Sequence, residues 1–63
     1  MTTFYITFGQ DHLFRDGWIE IKAKSEQQAR MKTFDTFGDK WSSIYTKKNF
    51  KPGFFPMGCI AKF

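Results

Sequence analysis

Asp11, His12 and Asp16 lie close together in this 63-residue chain, and a histidine between two carboxylates is the grouping best suited to moving a proton. A general base also needs a nucleophile or a substrate pocket around it, and no residue nearby supplies one. Cys59 is the only thiol. It can be set against His12 as a nucleophile–base pair, or read as a small apolar residue packed on a terminal strand. One cysteine and one histidine fall short of the four ligands of a structural zinc site. No glycine-rich loop of the phosphate-cradling kind occurs. The residues therefore predict a non-enzymatic protein with no metal and no cofactor.

A different chemistry is written between residues 47 and 57. Phe50-Lys51-Pro52-Gly53-Phe54-Phe55, preceded by Lys47-Lys48, interleaves rings and cations on a stretch that proline and glycine keep irregular. Rings stack on unpaired bases while lysines hold phosphates, which suits single-stranded nucleic acid. Aromatic anchors on a Pro-Gly turn suit a protein interface equally well. The remaining reading is that Phe50, Phe54 and Phe55 fold back as a lid on a second small core. Tyr5 and Trp18 beside Lys22 and Lys24 form a second candidate surface, similar in kind to the base-stacking platform of four-stranded RNA-binding sheets. The ribonucleoprotein motifs of those sheets are absent here.

Composition sharpens both candidates. Nine Phe, two Trp and two Tyr make thirteen aromatics in 63 residues. A chain of this mass exposes roughly 4,200 Å² folded and buries on the order of 6,600 Å². Thirteen rings at about 150–250 Å² each would take a third to a half of that. Some rings should therefore remain at the surface. Ten Lys and Arg against six Asp and Glu give a formal net charge of +4. That balance favours an anionic partner, either nucleic acid or an acidic protein surface. No leader-like segment and no membrane-length apolar run is visible, and one unpaired cysteine suits a reducing compartment. A cytoplasmic protein without a membrane partner is expected.

Four strands and one helix must position these groups. Thr3–Phe8 alternates Phe4, Ile6 and Phe8 against Thr3, Tyr5 and Thr7. Residues 9–17 read as a loop. Residues 18–24 alternate again, with Ile19, Ile21 and Ala23 on one face and Trp18, Glu20, Lys22 and Lys24 on the other. Ser25-Glu26-Gln27-Gln28 has the form of a capping box, in which Gln28 reaches back to the amide of Ser25. A helix should run to about Phe37 and stop at Gly38. Ala29, Thr33, Phe34 and Phe37 gather on one helix sector, and Arg30 falls within it. Arg30 is thus expected either to snorkel outward or to fix an acidic partner or an internal carboxylate. A third strand begins near Trp41, with its inner face undecided between Trp41, Ser43, Tyr45 and Ser42, Ile44, Thr46. Cys59–Phe63 forms a fourth.

The predicted fold is α+β in the order strand-strand-helix-strand-strand, a single compact domain. Two hairpins flank the helix, and an antiparallel sheet of three to four strands carries it on one face. Phe4, Ile6, Phe8, Ile19, Ile21, Ala29, Phe34 and Phe37 form the expected core. A sheet this small can also pair through its edges or faces into a homodimer.

Phe8-Gly9-Gln10 with His12, Asp16-Gly17-Trp18, Ala29-Arg30, and Phe37-Gly38-Asp39-Lys40-Trp41-Ser42 with Tyr45 together give a chain that resembles small accessory proteins of bacteriophages and other mobile elements. The resemblance spans most of the chain. It implies a stand-alone inhibitor that blocks a host or defence complex, as anti-CRISPR and other anti-defence proteins do, in the cytoplasm of the host cell. The positive charge argues against mimicry of DNA, leaving a protein surface or nucleic acid as the contact.

Overall fold

The computed structural model describes all 63 residues. It has β1 (Thr2–Thr7), β2 (Gly17–Ala23), α1 (Glu26–Phe37), β3 (Ser43–Thr46) and β4 (Gly58–Lys62), with a short 3₁₀ turn at Pro52–Phe54. The strands form one sheet in the order β3-β1-β2-β4. Its accessible surface, 4456 Å², lies near the scaling value for its mass.

The predicted α+β class and element order hold, but the sheet is mixed. β1 pairs antiparallel with β2 and with β3, whereas β4 runs parallel to β2. The expected second hairpin does not form, because β3 and β4 occupy opposite edges. This placement dictates two crossovers. The helix carries the chain from β2 to β3 across one face of the sheet. Residues 47–57 carry it back from β3 to β4, past the two inner strands and over about 14 Å. Because the two return journeys use opposite faces, both crossovers have the same hand, as the twist of the strands requires.

The helix face is the dry one. Ile6, Ile19 and Ile21 are at most 1% exposed, and Phe4, Phe8, Ala23 and Ala29 complete the core. Ile44 lies opposite Ile6, which settles the inner face of β3. Thr33 is buried on the helix and gives its hydroxyl to the Ala29 carbonyl at 2.8 Å, so no polar group is stranded. Lys32 reaches from the helix to the Lys22 carbonyl at 2.9 Å and ties the two layers at the rim.

The helix starts where its caps dictate. Ser25 Oγ accepts the Gln28 amide at 3.2 Å. Gln28 Oε1 reaches one residue further back than expected and accepts the Lys24 amide at 2.7 Å. Gly38 ends the helix at φ 63°, where a side chain would be strained, and donates its amide to Phe34.

One core expectation is corrected. Phe34 is 50% exposed and lies edge-on to Trp41, whereas Phe37 is half-buried and packs edge-on against Phe8 at 5.4 Å. A single short helix covers two inner strands with Ala29 and Thr33, and Phe34 falls beyond that line of contact. Trp41 precedes β3 and packs from outside the sheet, held by an indole bond to the Gly38 carbonyl at 3.0 Å.

β4 docks by an unusually close approach. Gly17 pairs with Gly58, and a bulge opposite Trp18 and Ile19 accommodates Ile60. Ile60 Cδ1 would lie 2.6 Å from a Cβ placed on Gly17. Glycine at 17 is therefore a packing requirement of this edge.

Candidate functional site

The second sheet face carries the rings that the helix leaves uncovered. The antiparallel register places Tyr5 directly opposite both Glu20 on β2 and Tyr45 on β3. Trp18 lies on the same face of β2. Residues 47–57 cross above them as a strap, and Phe50 is its anchor. Its ring stacks on Tyr5 at 4.6 Å with an interplanar angle of 3°. The same ring meets Trp18 edge-on at 5.1 Å and stacks on Phe55 at 5.4 Å. Phe55 in turn meets Trp18 at 6.2 Å. Offset and edge-to-face pairs of this kind are the favoured ring geometries and hold a strap that has little backbone pairing of its own.

Of the rings and lysines singled out from the sequence, the structure brings Tyr5, Trp18, Phe50 and Phe55 into one cluster. Phe50 and Phe55 thus act as a lid. Phe54 does not join them. It is 74% exposed on the 3₁₀ turn that Phe50 and Phe55 bracket. Lys51 shares a cleft with Phe54, Lys47 lines a cleft on the other side of Phe50, and Lys48 and Met57 are exposed elsewhere on the strap. Lys22 is exposed on the strand, and Lys24 lies just past the end of β2, where its amide is used by the helix cap.

Two shallow clefts flank Phe50. One, of about 340 Å³, is lined by Tyr5, Trp18, Glu20, Lys47, Phe50 and Pro52. The other, of about 170 Å³, lies between Tyr45, Asn49, Lys51, Phe54 and the two stacked rings Phe50 and Phe55. The sequence places Glu20 on this face without a role and leaves the face of Tyr45 undecided. Their only signal was strand parity, and the inner face of β3 was ambiguous until its register with β1 was known.

Arg30 turns outward, and the carboxylate it meets is one of its own helix. It stands exposed on the helix, bonds Glu26 one turn earlier at 3.4 Å, and lies 5.7 Å above the Trp41 ring. An exposed pair of this spacing contributes about 0.3–0.5 kcal/mol, so it is a surface contact of the helix itself.

His12 and Cys59 belong to different neighbourhoods. His12 Nδ1 accepts the Phe14 amide at 3.0 Å, and its ring lies against Phe8 and Phe14. It borders a polar cleft of about 390 Å³ shared with Gln10, Asp11, Asp39, Lys40, Trp41 and Ser42. Cys59 is exposed, contrary to the expectation of a packed apolar residue, and its thiol lies 3.4 Å from the Ala61 carbonyl. Partial desolvation, then the neighbouring Glu20 carboxylate, push the Cys59 thiol above its ordinary pKa, with Lys62 pulling the other way. A raised pKa leaves less thiolate at neutral pH and lowers nucleophilicity. No three His, Cys, Asp or Glu side chains gather as metal ligands. No helix is long and apolar enough to cross a membrane.

No family model, curated protein sequence or solved structure matches the chain.

Proposed function

We propose that this chain is a non-catalytic binding protein that presents Phe54, with Lys47, Lys48 and Lys51 exposed along the same strap, to an acidic protein surface containing an apolar recess. The exposure of Phe54 carries the reading. A phenylalanine on a turn pinned at both sides by half-buried rings is presented in a fixed place, which lowers the ordering cost of binding. The lysines of the strap would speed approach to an acidic partner and fix its orientation. The resemblance to phage accessory proteins makes inhibition of a host or defence complex the form this binding takes.

Single-stranded nucleic acid is the second reading, favoured by the same lysines. Base stacking on the sheet face is opposed by Phe50, which already occupies the Tyr5 face at 4.6 Å. Phe54 alone would have to supply the stack.

A photo-crosslinking residue at position 54, with a control at Met31 on the helix, tests the proposal in lysate of the host cell. One protein captured from position 54 only, and lost when Lys47, Lys48 and Lys51 are changed to Glu, is expected. Equal capture from both positions overturns it. Tryptophan fluorescence titration with oligonucleotides at two salt concentrations separates the second reading, which requires binding that weakens steeply with salt.

A further inference from the structure

The charge of this protein is unevenly placed. The four strands and the strap hold five lysines, Lys22, Lys47, Lys48, Lys51 and Lys62, against one carboxylate, Glu20. The other five cations and five carboxylates cancel in the helix and loops, so the whole formal net charge of +4 belongs to the sheet and strap. Lys62 is the register partner of Glu20. The 170 Å³ cleft beside Phe54 contains no carboxylate at all. Four rings, Tyr45, Phe50, Phe54 and Phe55, wall it, and Asn49 and Lys51 complete the lining. Lys51 is the only formal charge there, and the chain's single ion pair, Arg30–Glu26, lies on the helix. An apolar space of about 150 Å³ holds one benzene ring. We infer that this cleft receives one phenylalanine- or leucine-sized side chain of an acidic protein partner, with a neighbouring carboxylate of that partner set against Lys51. The inference rests on the proposed contact with an acidic protein surface and makes that contact reciprocal: Phe54 enters the partner, and the partner enters the cleft that Phe54 helps to wall.

The lining selects the occupant. Apolar contact has no preferred direction, so ring edges serve as walls as well as ring faces do. Phe50 can therefore stack on Tyr5 and still bound the cleft. A nucleobase would bring a polar edge that needs several partners. Asn49 Nδ2 already donates to Thr46 Oγ1 at 3.4 Å, which leaves few groups to meet that edge, and unpaired polar groups are costly to bury. An apolar side chain makes no such demand. The walls are also set in advance. Phe50 and Phe55 stack at 5.4 Å, and the Phe54 amide donates to the Lys51 carbonyl at 3.2 Å. The cation and the outer ring thus come as one turn, which lowers the ordering cost of binding.

The test follows the side-chain amide resonances of Asn49, the chain's only asparagine, by NMR on the intact protein. The probe is an end-blocked Glu-Glu-Phe-Glu-Glu peptide, compared at equal ionic strength with Glu-Glu-Ala-Glu-Glu and Gln-Gln-Phe-Gln-Gln. A saturable shift with the first peptide is expected, at least about tenfold weaker with the alanine peptide because the anchor is lost. Lys51→Glu, with its amide spectrum still that of a folded chain, should weaken Glu-Glu-Phe-Glu-Glu about tenfold and leave Gln-Gln-Phe-Gln-Gln unweakened. Crosslinking from position 54 is a separate readout. Capture of a partner with no Asn49 shift sinks the cleft but not the Phe54 contact, and the shift without capture does the reverse. An oligothymidine titration is the nucleic-acid arm: tighter binding than the phenylalanine peptide at Asn49 assigns the cleft to a base and overturns the inference. No saturable shift, equal binding of the alanine peptide, or unaltered affinity in folded Lys51→Glu overturns it as well.

Discussion

The two faces of this sheet solve the same problem in different ways. On the helix face, small and branched side chains interlock until Ile6, Ile19, Ile21, Ala23 and Ala29 are at most 1% exposed. On the strap face no ring is fully buried, and Tyr5, Trp18, Phe50 and Phe55 hold one another by stacked and edge contacts while remaining partly open. A regular helix sets the small side chains Ala29 and Thr33 directly against the sheet, so its contact seals. A strap with two prolines and only a 3₁₀ turn supplies separate anchors, so its contact leaves gaps. The sealed face is suited to stability and the gapped one to binding. The clefts beside Phe50 exist because large flat rings, set by few backbone bonds, cannot fill space as branched aliphatics do.

That division makes graded expectations. Ile19→Ala removes a fully buried side chain from the sealed face. It should cost about 3 kcal/mol or more, comparable to the whole 3–5 kcal/mol that a core of this size supplies. Urea denaturation should show loss of the cooperative transition, and a mild effect would mean that the helix face is not the principal core. Gly17→Ala sets a Cβ against Ile60 and the Gly58 carbonyl where β4 joins the sheet. The expected loss is about 1–3 kcal/mol. Shortening Ile60 to Val on the same background should recover part of it, since the closest atom is the tip of that side chain. If no recovery occurs, the close approach of β4 backbone rather than the side chain sets the requirement.

Phe50→Ala tests the other face. Its ring touches four others but is only half-buried, so a loss of about 1–2 kcal/mol is expected, below that of Ile19→Ala. Trp18 emission should shift to longer wavelength as the strap lifts. A loss equal to that of Ile19→Ala would erase the contrast between the faces. Phe54→Ala should change stability by no more than about 0.5 kcal/mol. Capture of a partner should nevertheless fall, which thermal melting paired with the crosslinking measurement would show.

Much of the fold was legible because local periodicity is strong here. The alternation of Phe4, Ile6 and Phe8, and of Ile19 and Ile21, marked two strands and their inner faces. Ser25 and Gly38 bracketed the helix because capping depends on side chains adjacent in sequence. The candidate site was legible in part. Tyr5, Trp18 and the 47–57 segment stood out as rings without a core place. Whether Phe50, Phe54 and Phe55 cover or protrude was open, since one residue type serves both ends and only their neighbours in space distinguish them.

By itself, the sequence determined the element types, the dry face of the inner strands, the surplus of rings and the positive charge, all of which follow from residue identity and short-range spacing. Only the tertiary structure decided that β3 and β4 flank the sheet on opposite edges. Strand pairing is a long-range choice, and an edge strand with a buried inner face fits beside either neighbour. That choice sends residues 47–57 across the open face, sets Phe50 on Tyr5, turns Phe54 outward and leaves Glu20 among the rings.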